Sequence, residues 1–408
     1  MTLIKLGILK ETKTPPDKRV PLTPHQCVEL MKRFPDVEIT VEKSDIRAFK
    51  DSEYSALGIK IADVASDCDI LMGVKEVKID YLLPNKKYFF FSHTLKKQSY
   101  NRKLLQAILE KKIQLIDYET LTNKDGHRII GFGRYAGIVG CYNAFLAYGK
   151  KHNMYDLKPA HLCNDRKEME LELRKTNLPN DTKIVLTGFG RVGKGAREIL
   201  ELNGIQEVSP EDFLSRSFDL PVYTQLNVED YYAKADGSEF NADEFYKNGA
   251  GHISTFARYL KVANIYIPCH FWSSSSPVIV SKEDLKSPDI KTSVIADISC
   301  DINAPIASTI RSSTIENPLY GYDPVTEKEV DFKAPGSIGV MAVDNLPCEL
   351  PKDASEDFGN DLMNHVFPYL FGQDPDRIIE RGSETDLNGN LMPDFEYLKD
   401  YVAEASAH

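Results

Sequence analysis

Over the first 130 residues, short apolar runs of strand length alternate with stretches whose apolar positions recur every three to four residues. Residues 3–9, 38–41, 70–74, 88–91 and 114–116 read as strands, bounded by polar or turn residues. Pro24–Arg33, with Thr23 placed as N-cap, and residues 101–111 carry the helical spacing. Strand then helix, repeated, predicts a parallel sheet covered on both faces. Residues 137–152 (GIVGCYNAFLAYGKKH) form a long helical pattern with small residues on one side, and a polar, Lys-rich segment follows to residue 180. That is where a domain crossing is expected. A second alternating series begins at Lys183 and is interrupted at 228–251 by an acidic, aromatic segment that reads as an insertion or surface excursion. It resumes with strands at 263–267 and 293–298 and a β-rich stretch at 337–343. Residues 355–370 turn helical again, and the chain past Asp374 is polar and acidic. The prediction is an α/β protein of two Rossmann-like parallel-sheet domains.

Composition narrows the function classes. The 408 residues carry 50 Lys plus Arg against 61 Asp plus Glu, a net charge of −11, which argues against nucleic acid or an anionic membrane as partner. No apolar run approaches the ~20 residues of a membrane span, and residues 1–10 lack the pattern of a signal peptide, so a soluble, cytoplasmic protein is expected. Seven cysteines, with no Cys-x-x-Cys pair and no His at zinc-ligand spacing, read as reduced core thiols, and no metal site is expected.

The glycine loop is the most specific motif that spacing alone reveals. Residues 183–187 (KIVLT) form a β-run, followed by Gly188-Phe-Gly190-Arg191-Val192-Gly193 and a helical pattern. In such a strand-loop-helix, Gly188 makes the tight turn, Gly190 lets backbone approach a pyrophosphate, and Gly193 allows close helix packing. The helix N-terminus presents free N–H groups to the anion. A second strand is expected at 206–209, which places Glu211 where an acid would bind the adenosine ribose of NAD. Ser209 and Arg191 would tolerate a 2′-phosphate, so NAD or NADP stays open.

Three expected strand ends in the first domain offer chemistry to one crevice. Lys75 follows Val74, His93 follows residues 89–91, and Glu119 follows residues 115–116. A His that titrates near neutrality and a Lys depressed by a neighbouring cation can share acid and base duties, with Glu76 and Glu119 tuning them. This suits oxidoreduction at a carbon bearing nitrogen, where protons move around a hydride step. Lys10, Lys13 and Arg19 lie in a loop suited to binding carboxylates.

Several segments also carry a family resemblance. LKETKTPPDKRVPLTP, VKEV, FFFSHTLKKQ, LIDYE and GFGRYAGIVG resemble the N-terminal half of the alanine dehydrogenase, transhydrogenase and saccharopine dehydrogenase superfamily. TGFGRVGKGA, VSPEDF, ADISCDINAPI and VDNLPCELPKDASEDFG are similar to the lysine-forming saccharopine dehydrogenases, especially the lysine-ketoglutarate reductase domain of bifunctional aminoadipic semialdehyde synthases. The resemblance implies a substrate and catalytic domain of residues 1–136 plus 350–408, a dinucleotide-binding domain of 137–349, and an active-site cleft between them. It implies reversible cleavage of saccharopine, with NAD or NADP and water, to L-lysine and 2-oxoglutarate. It further implies Lys75 and His93 as the acid-base pair with Glu76 and Glu119 beside them, Lys13, Arg19 and Lys96 as substrate-binding cations, and Asp344 near the cofactor. The glycine loop is one residue shorter than in the fungal NAD enzymes, whose strand-end Asp has no clear counterpart here, so NAD is not inherited from them. Two other readings share these residues: an alanine-dehydrogenase-like amino-acid dehydrogenase, and a non-catalytic NAD(P)-binding protein. The acidic insertion and tail are expected to be solvated exterior around a basic site.

Overall fold

The first sheet is built from β1 (Ile4–Ile8), β2 (Val37–Glu42), β3 (Lys60–Ala62), β4 (Ile70–Met72), β5 (Lys87–Phe90) and β6 (Gln114–Asp117), in the order β3-β2-β1-β4-β5-β6. Every pairing in it is parallel. Its inner strands read as continuous apolar runs because both faces are covered. Phe89 and Ile116 point into a core shared with Cys27 and Leu30 of the helix Pro24–Arg33 and with Phe358 and Leu362 of the helix Pro351–His365. Tyr88, Phe90 and Leu115 point the other way, onto Leu104 and Ile108 of the helix Arg102–Glu110. A capping box starts the first of these helices: Thr23 accepts from the Gln26 N–H and the Gln26 side chain accepts from the Thr23 N–H. Gln26 Nε2 then donates to the Glu356 carbonyl and to Asn360 Oδ1, tying the chain's two distant helices on one face.

The computed structural model describes residues 3–403, and the outermost ends of the expected domain ranges, 1–2 and 404–408, lie outside the described residues. The chain divides into two compact units: Met1–Phe132 with Pro351–His408, and Gly133–Leu350. The acidic tail is not simply exterior. Ser383, Glu384 and Thr385 are fully buried, with Glu384 N–H donating to the Leu115 carbonyl and the Leu115 N–H to Thr385 Oγ1. They run antiparallel beside β6 and cover the sheet's edge.

The second unit holds β7 (Lys183–Thr187), β8 (Gln206–Glu207), β9 (Val222–Leu226), β10 (Tyr232–Lys234), β11 (His252–Ser254), β12 (Ile265–Pro268), β13 (Val294–Ala296), β14 (Leu319–Asp323), β15 (Lys328–Val330) and β16 (Ile338–Met341). Its main sheet has the order β15-β14-β16-β13-β12-β7-β9-β8, parallel from β16 to β8 and closed by the antiparallel β14 and β15. Two expectations are corrected here. The strand beside β7 is β9, and the expected second strand survives only as the two-residue edge strand β8. The 228–251 segment folds into short helices and the hairpin strand β10, and its Tyr231, Tyr232 and Phe245 join the core. Among the described residues, no helix is long and apolar enough to cross a membrane, no group of His, Cys, Asp and Glu could hold a metal ion, and all seven cysteines are free.

Candidate active site

Because β1, β4, β5 and β6 run parallel, the loops leaving their carboxyl ends share one edge of the first sheet. Glu11, past β1, links two of these loops: its Oε1 accepts from the Val74 N–H at 2.6 Å and its Oε2 from the Lys75 N–H at 3.0 Å. Burial and the neighbouring Asp17 charge push its carboxyl up to about 8, against those amides and Arg19. Lys75 is half-buried, and its ammonium is pushed below the ordinary lysine range by burial, then by Arg19 and Lys13, with Asp17 and Glu76 opposing.

His93 sits at φ 55°, in the left-handed region that a non-glycine residue occupies at a cost. Its Nδ1 lies 2.7 Å from Glu76 Oε1, and Glu76 Oε2 accepts from Lys13 Nζ at 2.9 Å. Burial opposes ionisation of Glu76, but the bonds from His93 and Lys13 outweigh it and hold the carboxyl at about 2. An ionised Glu76 fixes the tautomer with the proton on Nδ1 and leaves Nε2 to exchange protons. Lys13, Glu76 and His93 are therefore one hydrogen-bonded set, with Lys75 adjacent in sequence to Glu76.

Glu119 forms a second cluster. Its Oε1 is 3.7 Å from Lys96 Nζ and 3.5 Å from an Arg128 nitrogen, and its buried Oε2 has no hydrogen-bond partner. Lys96 and Arg128 are each about half exposed, with side-chain accessibilities of 48% and 47%. Arg128 carried no motif signal. Arg19 is buried, its Nε and an Nη donate to the two oxygens of Asp17 at 3.0 and 2.7 Å, and its guanidinium lies 4.2 Å from the Phe132 ring centroid. The fork meets a carboxylate of its own chain. Burial resists ionisation of Asp17, but the Arg19 charge and hydrogen bonds prevail and hold it at about 2. A carboxyl depressed from 3.8 gives stability that is fully present above pH 4 and lost as pH falls towards 2, about 2 kcal/mol in all. Asp17→Asn should remove that acid limb from a pH series of thermal melts and cost about 3 kcal/mol at pH 7, since it leaves Arg19 buried without its counter-charge.

In the second unit, β7 runs into Gly188 at φ 94°, where a Cβ would lie 2.7 Å from the Cys269 carbonyl oxygen. A Cβ on Gly193 would lie 2.0 Å from the Gly188 carbonyl oxygen, whereas one on Gly190 would meet nothing within 4 Å. The loop thus packs tightly on the protein and stays open at Gly190, where the helix Arg191–Leu202 begins. Arg191 and Val192 line a concavity of about 500 Å³ with Asn227 and His270. His270 Nδ1 pairs with Thr187 Oγ1 at 2.8 Å, its buried Nε2 has no hydrogen-bond partner, and burial holds the ring neutral at about 3. An open cradle over Gly190 at a helix N-terminus fits a dinucleotide pyrophosphate. Glu211 stands in the first turn of the helix Pro210–Ser215, after the edge strand, and is not in the concavity's lining. The residue just past the strand beside β7 is Asn227, which is uncharged. Asp344 follows β16, whose carboxyl end lies on the same sheet edge as the glycine loop.

Fold and site together define an α/β protein with a histidine-carboxylate-lysine cluster at the strand ends of one unit and a dinucleotide-type glycine loop in the other. Residues 7–139 match the family alanine dehydrogenase/PNT, N-terminal domain. The alpha-aminoadipic semialdehyde synthase of Arabidopsis thaliana is 29% identical over 404 residues, covering 88% of this chain and 38% of the synthase. The saccharopine dehydrogenase [NAD(+), L-lysine-forming] of Emericella nidulans is 28% identical over 383 residues, covering 88% of this chain and 90% of the fungal enzyme. The chain spans less than half the length of the synthase and most of the fungal protein. A solved L-alanine dehydrogenase superposes with a TM-score of 0.62 at 16% identity, over 98% of this chain and all of that one, which establishes the fold.

Proposed function

We propose that this chain is an NAD(P)-dependent oxidoreductase acting on a CH–NH bond, and that its reaction is the reversible cleavage of saccharopine to L-lysine and 2-oxoglutarate. The observation that carries the reading is the His93–Glu76–Lys13 set beside the depressed Lys75, because condensation of an amine with a ketone needs several proton transfers near neutral pH. In the condensing direction the ε-amine of lysine adds to the ketone of 2-oxoglutarate. Lys75 takes the proton from the attacking nitrogen, and His93 Nε2 protonates the carbinolamine oxygen so that it leaves as water. Glu76 stabilises the imidazolium that His93 becomes whenever it holds two protons. Lys96 and Arg128, half exposed beside Glu119, meet the carboxylates of a multiply acidic substrate. A bound nicotinamide cofactor supplies or accepts the hydride at the reacting carbon. The free cysteines suit a reducing compartment such as the cytoplasm.

The test is a spectrophotometric assay of lysine plus 2-oxoglutarate with NADH and, separately, with NADPH. Turnover that requires both substrates supports the reading. Turnover of alanine and ammonia chemistry instead, or cofactor binding without any turnover, would overturn it. The same preparation tests which residue faces the ribose. Asn227→Asp should weaken NADPH binding about tenfold, by repulsion of the 2′-phosphate, and leave NADH binding nearly unchanged in a fluorescence titration. Glu211→Gln should alter neither.

A further inference from the structure

Ser92 and Thr94 flank His93, and both side chains enter a buried chain of four oxygen-bearing groups. Asp117 Oδ2 is 2.5 Å from Ser92 Oγ, Ser92 Oγ is 2.6 Å from Thr94 Oγ1, and Thr94 Oγ1 is 2.6 Å from Glu384 Oε2. All four residues are at 0% exposure. Three contacts of this length each need a proton between the oxygens. The two hydroxyls bring only two, so if both acids were ionised, one contact would press bare lone pairs together in a dry interior. The third proton must sit on a carboxyl. Asp117 accepts two backbone amides, Ser92 N–H at 2.8 Å and Glu119 N–H at 2.7 Å, which favour its ionised form, whereas the carboxyl of Glu384 receives hydroxyls alone.

We propose that Glu384 is a neutral carboxylic acid in the working protein, donating to Thr94, which donates to Ser92, which donates to Asp117, and that this relay holds His93 in its left-handed conformation from both sides. Glu384 is a positioning residue: it reaches the imidazole only through the backbone that its partners anchor. Burial first, then the charge of Asp117, pushes the Glu384 carboxyl up to about 8, with Thr94 and Ser92 opposing and Glu119 adding to the rise. Asp117 is likewise raised by burial. The other titratable groups that feel the pair are Tyr118, and Tyr397 and Tyr401 of the C-terminal segment, the last two carrying Lys97 and Arg102 over their rings. Loss of the Glu384 proton as pH rises through about 8 leaves the relay one proton short.

The consequence for His93 rests on the proposed function, but the proton count does not, so infrared difference spectroscopy comes first. At pH 7 the parent-minus-Glu384→Gln difference spectrum should contain one C=O stretch of a neutral carboxylic acid, while the band of Glu11, also raised to about 8, cancels because both proteins keep it. Identical spectra would overturn the proposal whatever the protein catalyses. In the lysine and 2-oxoglutarate assay, Glu384→Gln, whose amide still donates to Thr94, should stay within about threefold of the parent kcat at pH 7 and lose the alkaline fall near pH 8. Thr94→Val should lower kcat about tenfold with cofactor affinity unchanged, and Thr94→Ser should restore it. Equal damage from Glu384→Gln and Glu384→Ala, or an unmoved alkaline limb, would overturn the relay. A Glu384-dependent acid band without any turnover would sink the functional reading and leave the relay standing.

Discussion

His93→Gln should lower kcat for the proposed lysine and 2-oxoglutarate reaction by about 10²–10⁴-fold while the dissociation constant for NADPH or NADH stays within a factor of about two. Gln keeps a donor able to reach Glu76 Oε1, so the hydrogen bond and the packing persist and only the imidazole Nε2 is lost. Lys75→Met should produce a loss of similar size, since Met fills the stem's volume and deletes the ammonium that burial, Arg19 and Lys13 have made easier to deprotonate. The pair should not be additive. If the two groups pass protons through one sequence of steps, the double variant falls little further than either single one. A stopped-flow or steady-state comparison of the three variants, with cofactor binding measured by fluorescence, checks this. Equal losses of cofactor affinity in all three would refute the division of labour between the two units.

How far the sequence led depended on how local each signal was. The Thr23-Pro24 helix start was legible because capping box, proline and apolar spacing lie within a few adjacent residues, and the helix begins where they place it. The strand ends carrying Lys75, His93 and Glu119 were legible for the same reason: apolar runs end and a polar side chain follows. The neighbour of β7 was not. In β9, residues Val222–Leu226, Thr224 and Gln225 interrupt the apolar pattern although both are buried in the structure, and chain order suggested the nearer segment at 206–209 instead. The residue that follows the strand beside β7 is thus Asn227, whereas the expected strand led to Glu211. The burial of Arg19 was not legible, because its loop reads as exposed and polar, whereas the fork donates to Asp17, two residues away, within a buried site. Glu384 was the hardest to see. An acid in a polar tail reads as solvated, and the hydroxyl that makes its burial tolerable, on Thr94, stands 290 residues earlier in the chain.

The glycine loop supplies the second large effect, because its three glycines differ in what a methyl group would strike. On Gly193→Ala the new Cβ would lie 2.0 Å from the Gly188 carbonyl oxygen and 3.1 Å from Gln225 Nε2, and that carbonyl belongs to the backbone of the loop itself. Nothing there can swing aside as the end of a side chain would. The helix Arg191–Leu202 must back away from the β7 turn, breaking the bond from Gln225 Nε2 to the Gly188 carbonyl, so cofactor binding should be abolished and thermal stability should fall by about 1–3 kcal/mol. Gly190→Ala is the opposite case. Its φ of −70° suits any residue and its Cβ meets no protein atom within 4 Å, so the melting temperature should not move. The methyl instead occupies the space over which a pyrophosphate would lie against the helix N-terminus, and the cofactor dissociation constant should rise about tenfold or more. A differential scanning fluorimetry series with and without NADPH separates the two. Gly190→Ala keeps the apo melting temperature and loses the shift on adding cofactor, whereas Gly193→Ala loses both. A Gly190→Ala protein that still bound cofactor with parental affinity would mean that the ligand does not pass over this loop, and the open cradle would have to serve another anion.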